Sequence, residues 1–308
     1  MSERRKFLLE CGRAAAAFIL MACKAEKLDW PRELRSKSIG PTFFGHMVQG
    51  DWVLDDGSLC CPVTCYFGLL RLWDSRAVWW KMVADAAALE ANLRYAERVG
   101  AQVMFTFGEP PSTACYPNSK VPLAAAWTQF VRDVVTQSAG RIKYWELWNE
   151  PGVAGYWSGT VEQLAAQSAV AYQIIKEIEP GAIVLSPSMT ELGLSRGVQF
   201  ADRYLSAGGG NSCDVIAFHS YPQTPDELPL EIATLRSVML MHGVDKPIWN
   251  TEFALVPPDP SLRSEWMERS FRLQAEAGIC GAVWNAEIPG AEDYNDDTMQ
   301  GISEALAA

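Results

Sequence analysis

Histidine is scarce in this chain of 308 residues, which carries only three. No Cys-x-x-Cys pair accompanies them, so the ligand set of a zinc site is missing, and no metal or other cofactor is expected. Cationic side chains are also in deficit: 26 Lys and Arg stand against 37 Asp and Glu, a formal net charge of −11. A surface of that sign repels phosphate backbones and disfavours nucleic acid as a partner, whereas neutral ligands meet no such barrier. The apolar run at 14–23 is ten residues long, far short of the roughly 20 needed to cross a bilayer. No Gly-x-Gly-x-x-Gly follows the first candidate strand, which argues against a dinucleotide-binding open sheet. Low-complexity linkers and composition shifts are absent beyond residue 40.

What is present is a large apolar fraction, 49%, with 20% charged residues. That balance builds one sizeable core and argues against disorder. Twelve Trp are many for this length; they supply either an aromatic core or flat faces for stacking on sugar rings. The N-terminus has Arg4-Arg5 and Phe7-Leu8 ahead of the short apolar run, a pattern of an export signal resembling the twin-arginine type. Leu20-Met21-Ala22-Cys23 resembles a lipoprotein cleavage box, in which Cys23 would carry the lipid and provide the only membrane attachment. The expectation is therefore an export signal over 1–23, a linker over 24–40 and a periplasmic or envelope-attached product; the alternative is an amphipathic helix. Eight cysteines occur, and Cys60, Cys61 and Cys65 lie close enough in sequence to pair in an oxidising compartment. Composition gives no oligomeric state.

Beyond residue 40, short apolar runs alternate with amphipathic stretches. Strands are expected at 42–48, 68–73, 101–107, 142–148, 182–187, 215–219, 247–252 and 281–285. Helical periodicity covers 85–99, 124–137, 161–178, 198–205, 229–241 and 264–277, with a short final helix over 299–308. The first connection, 49–67, reads as a loop. Eight βα units predict an α/β fold, a (β/α)8 TIM barrel over 41–308, as a single domain without an accessory β-sandwich.

Active residues of such a barrel sit at the C-terminal ends of its strands. There the fourth strand ends Trp148-Asn149-Glu150-Pro151 and the seventh ends Thr251-Glu252-Phe253. Hydrolysing an acetal needs a proton for the departing oxygen and a negative charge beside the oxocarbenium-like carbon, so one carboxyl must be protonated while the other is ionised. Glu150 and Glu252 are the candidate pair; the bland alternative is that either forms a buried ion pair. Glu146, four residues before Glu150 on the same strand, reads as a buried structural carboxylate one layer down.

These motifs resemble glycoside hydrolase clan A, in which the acid/base and the nucleophile come from the ends of strands four and seven. The resemblance spans roughly residues 40 to 290. It implies Glu150 as general acid/base, Glu252 as nucleophile and Asn149 as a hydrogen-bonding partner of the sugar's 2-hydroxyl. His219-Ser220-Tyr221 is similar to the clan's His-x-Tyr, with the Tyr221 hydroxyl on the nucleophile, and Arg71 resembles the arginine that steadies it. Trp284 resembles the platform under the reacting sugar, and His46 a sugar-hydroxyl contact. Core packing, a structural salt bridge and a satisfied core histidine are the respective alternatives for Trp284, Arg71 and His219. Phe43-Phe44-Gly45-His46 and Thr106-Phe107-Gly108-Glu109-Pro110-Pro111 look most like family 39. The expected activity is retaining hydrolysis of β-linked oligo- or polysaccharide through a covalent glycosyl-enzyme. Rival readings are transglycosylation by the same intermediate and an inert carbohydrate-binding barrel. Trp79, Trp80 and Trp157 are further candidates for sugar subsites.

Overall fold

Valine, isoleucine, leucine and aromatic residues dominate the short runs that become strands, and every described strand from β2 onward is buried along nearly its whole length. That is the pattern of parallel strands covered on both faces. In the computed structural model, residues 45–48, 69–72, 86–99, 101–279 and 281–285 are described. The strands are β1 (Gly45–Val48), β2 (Leu69–Leu72), β3 (Gln102–Thr106), β4 (Ile142–Glu146), β5 (Ile183–Leu185), β6 (Ile216–Ser220), β7 (Ile248–Phe253) and β8 (Gly281–Trp284). Between them lie α1 (Ala86–Val99), α2 (Ala124–Ser138), α3 (Val161–Ile178), α4 (Ser195–Ser206), α5 (Leu228–Met241) and α6 (Arg263–Glu276). Their order follows the sequence expectation, with ends that move by a few residues. All described residues belong to one unit, Pro41–Ala308. The export signal at 1–23, the linker at 24–40, the cysteine cluster at 60–65, Trp79, Trp80 and the final helix at 299–308 lie outside the described residues.

The eight strands form one sheet in the order β5-β4-β3-β2-β1-β8-β7-β6, and every pair is parallel. β1 pairs with both β2 and β8, so the first and last strands are neighbours. β5 and β6 meet through the single bridges Leu185 with Val215 and Met189 with Phe218. There the backbone N–H of Ser186 donates to Val215 O at 2.9 Å, and Val215 N donates to Val184 O at 3.2 Å. The result is an alternating α/β fold with a (β/α)8-like barrel core.

Alternation along each strand sorts side chains into two layers. From β4, Tyr144 meets Trp249 of β7, with ring centroids 5.1 Å apart, while Trp145 turns to Phe105 and Phe107 at 5.5 and 5.8 Å. Phe107 in turn packs on Trp127 and Phe130 of α2, filling the space between strands and helices. One inward position admits no side chain. A Cβ on Gly281 would lie 2.5 Å from the Trp249 ring, closer than carbon atoms pack, so the start of β8 needs glycine.

The loop that carries Glu150 is pinned at its far end by the start of α3. Thr160 accepts from Gln163 N at 3.2 Å, and the Gln163 side chain accepts from Thr160 N at 2.9 Å. This reciprocal capping box satisfies two backbone donors that the helix itself leaves open.

Candidate active site

β4 sets the position of the first carboxylate. Beyond its end, Trp148 wedges between Trp127 and Trp157, at 5.7 and 5.1 Å, and donates its indole N–H to Tyr156 O at 3.1 Å. Asn149 N donates to Phe107 O at 2.9 Å, so the chain stays tied to β3 up to the residue before Glu150. Glu150 then adopts φ +43°, left-handed backbone that a side chain bearing a Cβ seldom takes.

β7 delivers the second. Its register against β8 is irregular between Asn250 and Phe253, and that of β6 against β7 between Phe218 and His219. Such irregularities re-aim side chains at barrel rims. Here they bring the consecutive residues Thr251 and Glu252 onto the same inner network: the Thr251 hydroxyl donates to Glu146, and Glu252 accepts from Arg71 at 2.6 Å.

Arg71, from β2, is fully buried and organises the centre. Its Nε and Nη2 donate to Glu146 Oε2 at 3.0 and 2.6 Å, Nη2 also to Asn149 Oδ1 at 2.8 Å, and Nη1 to Glu252 Oε2 at 2.6 Å. A buried guanidinium survives only when paired in this way. Burial works against its charge, but Glu146 and Glu252 more than offset that, and its pKa rises. Glu146 shows the complementary balance. Burial alone would raise its carboxyl, yet Arg71, His219 and Thr251 bring it down to about 2. It is the buried, ion-paired structural group expected from its place one layer below Glu150.

His219, on β6, bridges the two carboxylates. Its Nδ1 lies 2.9 Å from Glu150 Oε1 and 3.8 Å from Glu252 Oε2. Burial opposes its protonation, but Glu252, Glu146 and Glu150 outweigh it and raise the imidazole to about 9. The 3.2 Å approach of Arg71 Nη2 to His219 Nε2 does not contradict a protonated ring. Both hydrogens of that nitrogen already go to Glu146 and Asn149, leaving none to donate. Burial raises the Glu150 carboxyl, and the His219 contact more than reverses this, so its pKa falls below the ordinary value.

Tyr221 donates its hydroxyl to Glu252. Burial first and the charge of Glu252 second push the phenol's pKa far up, so it remains a donor. Although the hydroxyl is enclosed, 44% of the residue is exposed.

The structure therefore gathers Glu150, Glu252, Asn149, Arg71, His219 and Tyr221 in one place. Trp284 is a correction. It was expected as a platform beneath the sugar, but it is 3% exposed and packs edge-on against Phe253 at 5.1 Å, with Phe271 of α6 at 6.4 Å. It belongs to the layer between strands and helices. Trp157, a candidate subsite residue, is likewise buried against Trp148. His46 pairs through its backbone with Leu70 and Trp284, and its side chain lies outside the described residues.

Two further residues belong to the site without having been singled out. Asn285 donates to the Tyr221 hydroxyl at 2.8 Å and to Glu252 Oε1 at 3.3 Å. Ser188 accepts the backbone N–H of Glu150 at 2.9 Å. A Trp284 expected to face the sugar hides Asn285, because strand alternation then sends its successor outward. Ser188 carries no signal in the sequence.

One ligand atom each from Glu150, His219 and Glu252 fall within 4.8 Å of one another, a spacing a metal ion could span. The site already supplies its own cations, however, with Arg71 on Glu252 and the raised His219 on Glu150. Those two cations stand against three carboxylates, Glu146, Glu150 and Glu252.

Residues 79–275 match the family model described as the glycosyl hydrolase catalytic core. The chain belongs to that family. Among solved structures, this glycosyl hydrolase core is similar to a glucosidase from Croceicoccus marinus, with 14% identity, 87% of this chain and 68% of that chain covered, and a TM-score of 0.64. A family 39 glycoside hydrolase from Bacteroides cellulosilyticus WH2 matches at 15% identity over 86% of this chain and 63% of its own, with a TM-score of 0.58. Xylanase 10B from Thermotoga petrophila RKU-1 matches at 15% identity over 90% of this chain and 96% of its own, with a TM-score of 0.63. At such identities the likeness concerns the fold. No curated protein matches the chain.

Proposed function

We propose that this glycoside hydrolase is a retaining enzyme of clan A type with a closed (β/α)8 barrel, acting on β-linked oligo- or polysaccharide with Glu150 as general acid/base and Glu252 as nucleophile. The observation that carries this reading is the approach of the two carboxylates: an oxygen of each lies within 4.8 Å of the other. Retaining glycosidases hold their carboxyl pair about 5–5.5 Å apart, whereas inverting ones leave about 6.5–9.5 Å for a water molecule.

The chemistry follows from the contacts. Arg71 and Tyr221 hold both oxygens of Glu252 and orient it. An oxygen of Glu252 bonds to the anomeric carbon while the bond to the departing oxygen breaks. Glu150 supplies the proton that this oxygen takes. His219 Nδ1, 2.9 Å from Glu150 Oε1, is placed to pass that proton to it. A sugar seated beside Glu150 strips water from it, which raises the carboxyl and draws the proton across. Once Glu252 is esterified its negative charge is gone, and the pKa of Glu150 falls accordingly. Glu150 then accepts a proton from water, the water oxygen bonds to the anomeric carbon, and the ester bond breaks.

A glucosidase and a xylanase share the fold, which makes aryl β-glucosides and β-xylosides the first substrates to try. Proton NMR of the reaction as it starts is the direct test. The β-anomer should appear first and mutarotate later; first appearance of the α-anomer would overturn the retaining assignment.

A further inference from the structure

We propose that Ser188 is a positioning residue for the general acid/base, and that the segment leaving β5 clamps Glu150 to His219. The proposal rests on the assignment of Glu150 given above and adds to it the device that aims this carboxylate.

β5 itself contributes no charged group to the site, yet the residues that follow it touch both halves of the proton-sharing pair. On one side, Ser188 N donates to Trp148 O at 2.9 Å, and Ser188 Oγ accepts Glu150 N at 2.9 Å. On the other, Ala217 N donates to Ser186 Oγ at 2.9 Å, Met189 N to Ala217 O at 3.1 Å, and His219 N to Met189 O at 2.8 Å. Two residues of one short segment thus fix the backbones of Glu150 and His219 relative to each other. The 2.9 Å contact between their side chains is set by this stitching.

The clamp matters most at Glu150 because its own backbone works against it. The residue combines φ +43° with a following proline, which further restricts the conformations open to it. Such a residue stays in place only where its surroundings over-determine it. Its carbonyl accepts Val153 N at 2.9 Å, and its N–H has the Ser188 hydroxyl. Ser188 is wholly buried, so water is not at hand to replace that hydroxyl once it is removed. Freed on that side, the Glu150 backbone can relax, and its carboxylate swings away from His219 and from the departing oxygen.

The test compares Ser188→Thr with Ser188→Val, which differ by hydroxyl against methyl at almost the same shape, with Ser188→Ala beside them. Dinitrophenyl, nitrophenyl and phenyl β-glucosides and β-xylosides serve as probes. Phenol is a poor leaving group that needs the proton, whereas dinitrophenol hardly does. For Ser188→Val, kcat/KM on the phenyl glycoside should fall about 10- to 100-fold, with the dinitrophenyl substrate far less affected. The alkaline limb of its pH profile should also move, and Ser188→Thr should follow the parent in both respects. Partial misfolding lowers all rates alike and cancels in the ratio between leaving groups. Equal behaviour of the Val and Thr variants, or a loss uniform across leaving groups, would overturn the proposal. So would failure of both Ala and Val to fold while Thr folds, which would make the hydroxyl a structural group. Glu150→Gln separates this from the underlying reading: if it cleaves the phenyl glycoside like the parent, the acid assignment itself is lost. If Glu150→Gln shows the leaving-group signature and the Ser188 variants do not, only the positioning role is lost.

Discussion

The two faces of β4 obey different rules. Inward, Glu146 joins a network in which Arg71, Thr106 and Thr251 each supply a hydrogen to its carboxylate. Outward, Trp145 packs on the rings of Phe105 and Phe107, and its buried indole nitrogen has no hydrogen-bond partner among the described residues. The same contrast holds along β7, where Thr251 and Glu252 face the network and Phe253 packs on Phe271 and Trp284. Inside, at the rim, position is dictated by charge and donor geometry; deeper, at Tyr144, Trp249 and Gly281, it is dictated by packing. Outside, it is dictated by volume. Activity should therefore depend on the inner face and stability on the outer.

The largest effect expected on the inner face is that of Glu252→Gln, which keeps the shape and an acceptor for Arg71 but removes the attacking charge. Its turnover of aryl glycosides should fall on the order of 10⁴-fold, with a melting temperature close to the parent's. A large drop in melting temperature would break the contrast, because it would make the inner network the main source of stability. On the outer face, Trp127→Ala removes a ring lodged against Phe107 and Trp148. A deletion of that size costs about 3–5 kcal/mol, readable by denaturant unfolding, while kcat of the folded fraction stays within about threefold of the parent. Loss of activity without loss of stability would show that the two faces are not separable there.

The smallest effect sharpens the comparison by locating what the inner face does contribute to stability. The folded state raises His219 to about 9 from 6.5, so its contribution is complete below pH 6.5 and lost as pH climbs through 9. Glu146 is lowered from 4.5 to about 2, so its contribution is present above pH 4.5 and lost as pH drops through 2. The melting temperature should decline on the alkaline side of neutrality, and His219→Gln should flatten that decline. An unchanged slope in the variant would assign it to other groups.

This division also explains what could be read from the residues alone. The βα alternation is legible because each strand is a brief apolar run ended by a turn and each helix keeps its 3.6-residue period. The convergence of Glu150, Glu252, Arg71 and His219 is legible because strand ends of such a barrel share one rim. Trp284 was misplaced for a specific reason. Motif likeness names a residue type near a strand end, but a shift of one position moves a side chain to the opposite face. In this chain Asn285 faces Glu252 and Trp284 faces α6. The tryptophan content, open at first between core and sugar stacking, is structural at positions 127, 145, 148, 157, 249 and 284, all of which are buried. Ser188 stayed invisible because its function depends on the backbone N–H of Glu150 and on φ +43° there, neither of which has a sequence pattern.

Gly281 carries a consequence far from where it sits. The ring it touches belongs to Trp249, three residues before Glu252 on the same strand. A methyl group introduced at the floor of the sheet would lever that strand, and the lever arm ends at a carboxylate anchored within hydrogen-bonding tolerance of an arginine. Variation at the floor is thus screened by chemistry at the rim, and attempts to improve this enzyme by filling space near β8 would be felt first as a change in rate.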